Sequence, residues 1–192
     1  MRDGKTGGQI VERADDLFYR QGFEATSFAD IAAAVGISRG NFYYHFKTKD
    51  EILDAVIEAR IAASREMIAG WEAESDDPEQ RIRGYIRILT DNQNDIMAYG
   101  CPVGTLTSEL AKLNHQAQGA AGRIFTLFRD WLRGEFERLG CGGESDRNAM
   151  HVLAWSQGVA TMANAYRDAD FVDREIAEIS AWLHDRAAEA RA

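Results

Sequence analysis

Arg39, Asn41, Tyr43, Tyr44, His45, Lys47 and Lys49 lie within eleven residues of one another and carry hydrogen-bond donors, phenol hydroxyls and positive charge with almost no aliphatic surface. That chemistry suits a nucleic-acid duplex. An arginine can bridge two acceptors of guanine, an asparagine can pair with adenine, and Tyr, His and Lys reach the phosphate oxygens that fix register. Gly40 lets the backbone come close. An ordinary surface helix of this length would carry Glu and Lys instead. Tyr43 and Tyr44 are adjacent and face different directions, so at least one is expected to be exposed, whereas Phe42 and Phe46 are four apart and point inward. The alternative reading is an aromatic face packed on the rest of the chain.

The elements that must hold these residues are written in positions 27–49. Ser27 can cap a helix whose third residue, Asp30, reaches back to it as a capping box. Phe28, Ile31, Ala32 and Val35 follow at helical spacing, and Gly36 stands where a left-handed residue would end the helix. Ile37 plugs the turn and Ser38 caps the next helix. The pattern predicts a helix-turn-helix. Gly36-Ile37-Ser38-Arg39-Gly40 also matches G-x-S-x-G, the nucleophile elbow of serine hydrolases, but an elbow needs a buried strand before it. Here Asp30-Ile31-Ala32-Ala33-Ala34-Val35 precedes it, a strong helix former, so Ser38 is read as an N-cap.

Residues from about Ile10 to Ile57 resemble the N-terminal DNA-binding domain of the tetracycline-repressor (TetR) family. The resemblance is carried by the ordered set Phe18, Gly22-Phe23, Thr26, Asp30-Ile31-Ala32, Val35-Gly36-Ile37-Ser38, Phe42-Tyr43-Tyr44-His45-Phe46, Lys49 and Ile52-Leu53. It implies an all-α homodimeric transcription regulator, usually a repressor, that binds a palindromic operator and is released by a small molecule. By the same resemblance Thr26, Ser27, Tyr43, His45 and Lys49 match phosphate-facing positions. Arg39, Gly40 and Asn41 match the base-reading start of the recognition helix, with Tyr44 and Lys47 beside them.

The chain has 192 residues, is 45% hydrophobic and carries a net charge of −9. The acidity is uneven. Residues 1–49 hold seven Lys or Arg against six Asp or Glu, and residues 50–192 hold 15 against 25, so the part that would meet DNA is not the acidic one. No apolar run approaches the roughly 20 residues of a membrane span, and the N-terminus lacks a secretion signal; a cytoplasmic location is expected. Met1 to Gly8, with Arg2 and Lys5, reads as a flexible arm.

Beyond Lys49 the pattern is helical throughout. A helix from Asp50 carries Ile52, Leu53, Val56, Ile57 and Ile61 on one side. Pro78 opens a helix to about Tyr99, and Gly100-Cys101-Pro102 leads into a short one ending near Leu110. Helices of about 118–139, 145–167 and 173–189 complete the chain. The expected organisation is a helix-turn-helix domain over 1–49 and a helical ligand-binding and dimerisation domain over 50–192.

A palindrome reader needs a twofold axis. Val152, Val159 and Ala163 in one stripe, and Ile176, Ile179, Trp182 and Leu183 in another, are candidates for the dimer contact, or for the intramolecular core. Trp71, Tyr85, Met97, Leu106, Phe125, Phe128, Trp131 and Trp155 could line an apolar cavity or simply pack. Tyr99 to Leu110 resembles a Gly-Cys-Pro-x-Gly stretch found in one branch of these regulators, at the helix facing the ligand. Cys101 there is either an electrophile-sensing thiol activated by a helix N-terminus or a small apolar residue. Cys101, Cys141 and the histidines at 45, 115, 151 and 184 lack metal-ligand spacing, and no cofactor is expected. The expected partners are double-stranded DNA, a second copy of the chain and a small-molecule effector, with no membrane. Two rivals remain: a helical enzyme using Glu109, His115 or His151, and a dimeric small-molecule or electrophile sensor without operator specificity.

Overall fold

Apolar residues four apart, Ile10, Ala14 and Phe18, put a buried stripe along the first helix, α1 (Asp3–Gln21). The computed structural model of the chain describes residues 3–191, with the side chains of 3–5 and of Arg39 outside the description. Residues 3–8, expected within a flexible arm, are the first turns of α1. With Ile10, Ala14 and Phe18 holding the helix on the core, extension avoids the cost of nucleation, and each glycine costs only about 1 kcal/mol relative to alanine. Met1 and Arg2 of the expected arm lie outside the described residues.

The remaining helices are α2 (Phe28–Val35), α3 (Arg39–His45), α4 (Lys49–Glu74), α5 (Pro78–Asp91), α6 (Gln93–Tyr99), α7 (Pro102–Lys112), α8 (Gln118–Leu139), α9 (Ser145–Tyr166) and α10 (Ala169–Arg191). No strand occurs among the described residues, so the class is all-α. The single helix expected from Pro78 to Tyr99 breaks at Asn92, where φ is −115° and ψ 19°. The Asn92 side-chain amide and its own N–H both donate to the Ile88 carbonyl, at 3.0 and 3.1 Å. Such a local side-chain bond competes with the helix ladder. α10 begins four residues before the expected Asp173, because the Asp168 carboxylate accepts the Phe171 N–H at 3.1 Å and starts the helix there.

By packing, the chain falls into two compact units: residues up to Ser64 with Val103–Ile124, and Arg65–Pro102 with Phe125–Ala192. The division at residue 49 follows the motif, whereas these units follow burial. In the first unit α1 packs on α2 and α2 on α3. Its core joins Phe18, Phe23, Ile31 and Phe42 with Ile52, Leu53, Val56 and Ile57 of α4 and Leu110 of α7, none more than 4% exposed.

In the second unit α5 packs on α10, α6 on α9 and α9 on α10. Leu89, Ile96, Val159, Ala160, Ala163 and Val172 form one apolar cluster. The buried Arg81 guanidinium ties the α4–α5 turn to α8, donating to the carbonyls of Ser75 and Glu72 at 2.6 and 3.1 Å and to Glu135 Oε1 at 3.4 Å. Trp71 packs edgewise on Tyr85 over Gly84, where an added Cβ would lie 2.7 Å from Trp71 Cδ1. Alanine in a helix interior gains about 1 kcal/mol over glycine, but overpacking costs about 1–3 kcal/mol. Gly84→Ala is therefore expected to be net destabilising by about 1 kcal/mol, read as a lower urea midpoint at unchanged m-value.

Candidate nucleic-acid interface

Ser27 and Asp30 form the capping box that their spacing predicts: Ser27 Oγ accepts the Asp30 N–H at 3.2 Å, and Asp30 Oδ2 accepts the Ser27 N–H at 2.8 Å and the Ser27 hydroxyl at 2.6 Å. α2 ends at Gly36, whose φ of 76° requires the left-handed conformation and whose N–H returns to the Ala32 and Ala33 carbonyls. Ser38 then accepts the Asn41 N–H at 3.3 Å and caps α3.

α3 has only seven residues, so its orientation rests on one anchor. Phe42 is 1% exposed and meets the edge of Phe28 at 5.1 Å. With Phe42 inward, the rest of α3 must turn out: Tyr43 is 47% and Tyr44 66% exposed. Gly40 and Asn41 are exposed with them, and His45, half-buried, meets Tyr44 edge-on at 5.2 Å. Tyr43 also leans on Phe28 at 5.6 Å, beside a groove of about 360 Å³ lined by Ser27, Phe28, Ala29, Ala32, Phe42 and Tyr43. The Lys47 ammonium bonds the Tyr43 carbonyl at the end of α3, and the Lys47 N–H donates to Glu51 at 2.7 Å. Ser27, Ser38, Gly40, Asn41, Tyr43, Tyr44, His45 and Lys47 thus all retain accessible surface. The Arg39 side chain lies outside the described residues.

Two residues of the expected set are used elsewhere. Thr26 is 1% exposed, and its hydroxyl donates to the Gly22 carbonyl at 2.7 Å, which makes it a turn residue. Lys49 donates to the carbonyls of Phe23, Glu24 and Thr26 at 2.9, 3.2 and 3.2 Å, with its ammonium 4.3 Å from the Phe23 ring centroid. An ammonium has three donors, and here each has a backbone carbonyl within reach. Sequence reasoning missed the role of Glu109, whose carboxylate accepts the N–H groups of Phe23 and Glu24, both at 2.9 Å. Its partners are 85 and 86 residues away, and the only local signal is its place beside the buried Leu106 and Leu110 on α7.

The candidate ligand residues divide. Trp71, Tyr85, Phe128 and Trp131 pack ring against ring, with Trp71–Trp131 at 5.1 Å and Tyr85–Phe128 at 5.2 Å. The Tyr85 hydroxyl is 3.0 Å from Ser156 Oγ, and burial pushes its phenol far above the ordinary range. Met97, Cys101 and Trp155 pack against the α6–α9 cluster. Leu106 is buried in the first unit and Phe125 is half-buried in the second. Trp155 and Val159 also line an open groove of about 660 Å³ with Met162, Phe171 and Glu175.

The candidate dimer residues are largely consumed within one chain. Val152, Val159, Ala163, Ile179 and Leu183 are at most 4% exposed, and the half-buried Trp182 packs on His151 and Phe136 at 4.5 and 6.1 Å, with Ile176 packed against the α6–α9 cluster. The chain's own core takes the most apolar stripe of a helix first. The exposed residues of α9 include instead Met150, His151, Ala154, Gly158, Thr161, Met162, Ala165 and Tyr166.

Residues 10–56 match the family model of bacterial regulatory proteins of the tetR family, and residues 78–178 match the C-terminal domain of LmrA/YxaF-like transcriptional regulators. The chain is 28% identical over 172 residues to the HTH-type transcriptional regulator TtgR of Pseudomonas putida, covering 81% of this chain and 78% of that one. It is 28% identical over 123 residues to an uncharacterized HTH-type transcriptional regulator in the lacX 3′ region of Lactococcus lactis, spanning 63% of each chain. A TetR transcriptional regulator from Legionella pneumophila of known crystal structure is similar at 27% identity and a TM-score of 0.79, over 89% of this chain and 93% of that one.

Two predictions concern the caps. Ser38→Ala is expected to cost about 1 kcal/mol, read as faster amide exchange at Asn41. The Ser27 hydroxyl, then the Ser27 N–H, hold the Asp30 carboxyl below its usual range. A depressed folded-state pKa contributes stability that is complete above the unfolded value of about 3.9 and is lost as pH falls through the lower folded value. Acid titration followed by circular dichroism should show this loss in the wild type and a flatter acid limb in Asp30→Asn.

Proposed function

This chain belongs to the TetR family of bacterial regulatory proteins, and on that premise we propose that it is a dimeric, sequence-specific transcriptional repressor released from a palindromic operator by a small apolar effector. The family consists of DNA-binding regulators rather than enzymes. The observation that carries the reading is the outward side of α3, where Asn41, Tyr43 and Tyr44 are exposed while Phe42 is buried. Tyr43, though its ring leans on Phe28, and Tyr44 keep 47% and 66% of their surface exposed, so neither gains the full stabilisation of burial. Each buried aromatic would stabilise the fold by roughly 1.5–3 kcal/mol.

In this reading residues 1–49 are the DNA-binding domain and residues 50–192 bind ligand and dimerise. Arg39, Gly40 and Asn41 read base edges in the major groove, and a good bidentate contact discriminates by about 1–3 kcal/mol per base pair. Ser27, Ser38, Tyr43, Tyr44, His45 and Lys47 contact the phosphates that set register. Two such faces engage half-sites about 34 Å apart when a second copy supplies the twofold axis, and exposed residues of α9 such as Met150, Gly158 and Met162 support a place for that contact. The effector site lies among Trp71, Tyr85, Met97, Cys101, Phe125, Phe128, Trp131 and Trp155. Effector binding moves α4 and changes the separation or tilt of the recognition helices. Coupling of about 1–3 kcal/mol is typical between such sites.

The test is fluorescence anisotropy of the full chain with DNA from upstream of its own coding region and with a random duplex, over a salt series. Preference for the upstream DNA at physiological salt is the expected result; equal weak binding to upstream, random and library-selected duplexes would overturn the reading. Lys47→Ala should lower affinity on every duplex and reduce the salt slope by about 1, whereas Arg39→Ala should chiefly relax sequence preference.

A further inference from the structure

The turn after α1 leaves two backbone amides without a helical acceptor. Gly22 takes φ +94° and returns its N–H to the Phe18 carbonyl at 3.1 Å, and the next two N–H groups, of Phe23 and Glu24, leave the helix. Both donate to one carboxylate, Glu109 of α7, at Oε2 and Oε1 respectively. On the carbonyl side of the same turn the Lys49 ammonium takes the oxygens of Phe23, Glu24 and Thr26. The peptide dipoles of the turn therefore run from a negative charge at their N–H ends to a positive charge at their C=O ends, through charge-assisted bonds about twice as strong as neutral ones. A Cβ on Gly22 would stand 3.0 Å from Glu109 Oε1, so this glycine serves both the backbone conformation and the carboxylate's approach.

We propose that Glu109 is a positioning residue for DNA recognition: through the amides of Phe23 and Glu24 it sets the direction in which α2, and with it α3, leaves α1. The inference rests on the DNA-binding reading above. No slack separates the turn from the motif, because the buried Thr26 returns its hydroxyl to Gly22 and the next residue, Ser27, is already the cap of α2. The segment after α7 holds the other end of the motif. His115 Nε2 lies 3.4 Å from Asp50 Oδ1, in the first turn of α4, and the His115 ring meets Phe23 edge-on at 5.2 Å. One stretch of chain, from Glu109 to His115, thus grips the entry of the motif at residues 23–24 and its exit at Asp50.

The test compares the full-length wild type with Glu109→Ala and Glu109→Gln, the second keeping the side-chain size and one acceptor oxygen. Backbone amide exchange at Phe23 and Glu24 is read alongside anisotropy on a duplex enriched from a random library by the wild type and on a scrambled duplex. For Glu109→Ala the two amides are expected to exchange at least about tenfold faster with α4 and α5 unchanged, and the enriched duplex to bind about tenfold more weakly, a change of about 1.4 kcal/mol. Binding to the scrambled duplex should change less than about twofold, since that binding depends on phosphate charge rather than on groove register. Glu109→Gln should fall between the two proteins and carries the test if the alanine variant does not fold. Loss of a negative charge alone would tighten both duplexes, so selective weakening identifies positioning. A folded variant that binds the enriched duplex as tightly as wild type, or keeps both amides protected, overturns the inference. Failure of the wild type to enrich any sequence overturns the DNA-binding reading itself, whatever the amides do.

Discussion

The candidate DNA face depends on the placement of one buried ring, Phe23. It is 2% exposed, meets the edges of Phe18 and His115 at 5.2 Å, and has the Lys49 ammonium over its face. The backbone on either side of the ring forms a turn whose carbonyls are satisfied from α4 and whose amides are satisfied from α7. A turn of five residues would ordinarily leave these groups to water, and burying them unpaired would cost about 1–3 kcal/mol each. Pairing them with side chains from two other helices converts that liability into a fixed geometry. The capping box at Ser27, the left-handed Gly36 and the inward Phe42 are then local features along α2 and α3.

This arrangement gives the lysine that follows the helix-turn-helix a role within its own chain. Lys49 matches a phosphate-facing position by resemblance, yet its three donors are spent on carbonyls of its own chain. Thr26 is likewise spent on Gly22. Lys47 brings an exposed cationic side chain to this face, and Asn41, Tyr43, Tyr44 and His45 add hydrogen-bonding groups.

In the second compact unit the same economy appears in apolar form. Trp71, Tyr85, Phe128 and Trp131 fill space against one another, and Gly84 is small because the Trp71 ring occupies the place of its side chain. The stripes on α9 and α10 are turned into the chain's own core. What they leave outside on α9 includes Met150, Ala154, Gly158, Met162 and Tyr166, and on α10 mostly charged residues such as Asp173, Arg174 and Glu178.

The sequence by itself determined the elements whose causes are local. Ser27 with Asp30, Gly36, Ser38, Pro78 and the fourfold spacing of apolar residues each act within one helical turn, so α2, α3, α4 and the all-α class are legible residue by residue. Asn92 and Asp168 act just as locally but were outvoted by the apolar periodicity around them, and that displaced two helix ends. Only the tertiary structure decided which polar groups remain for a partner. Whether Lys49 meets a phosphate or a carbonyl, whether Glu109 is an isolated acid or the acceptor of a distant turn, and whether Val152 faces a neighbour or its own core all depend on groups dozens of residues away. Helical periodicity states which side of an element is apolar, but long-range packing alone determines what that side touches.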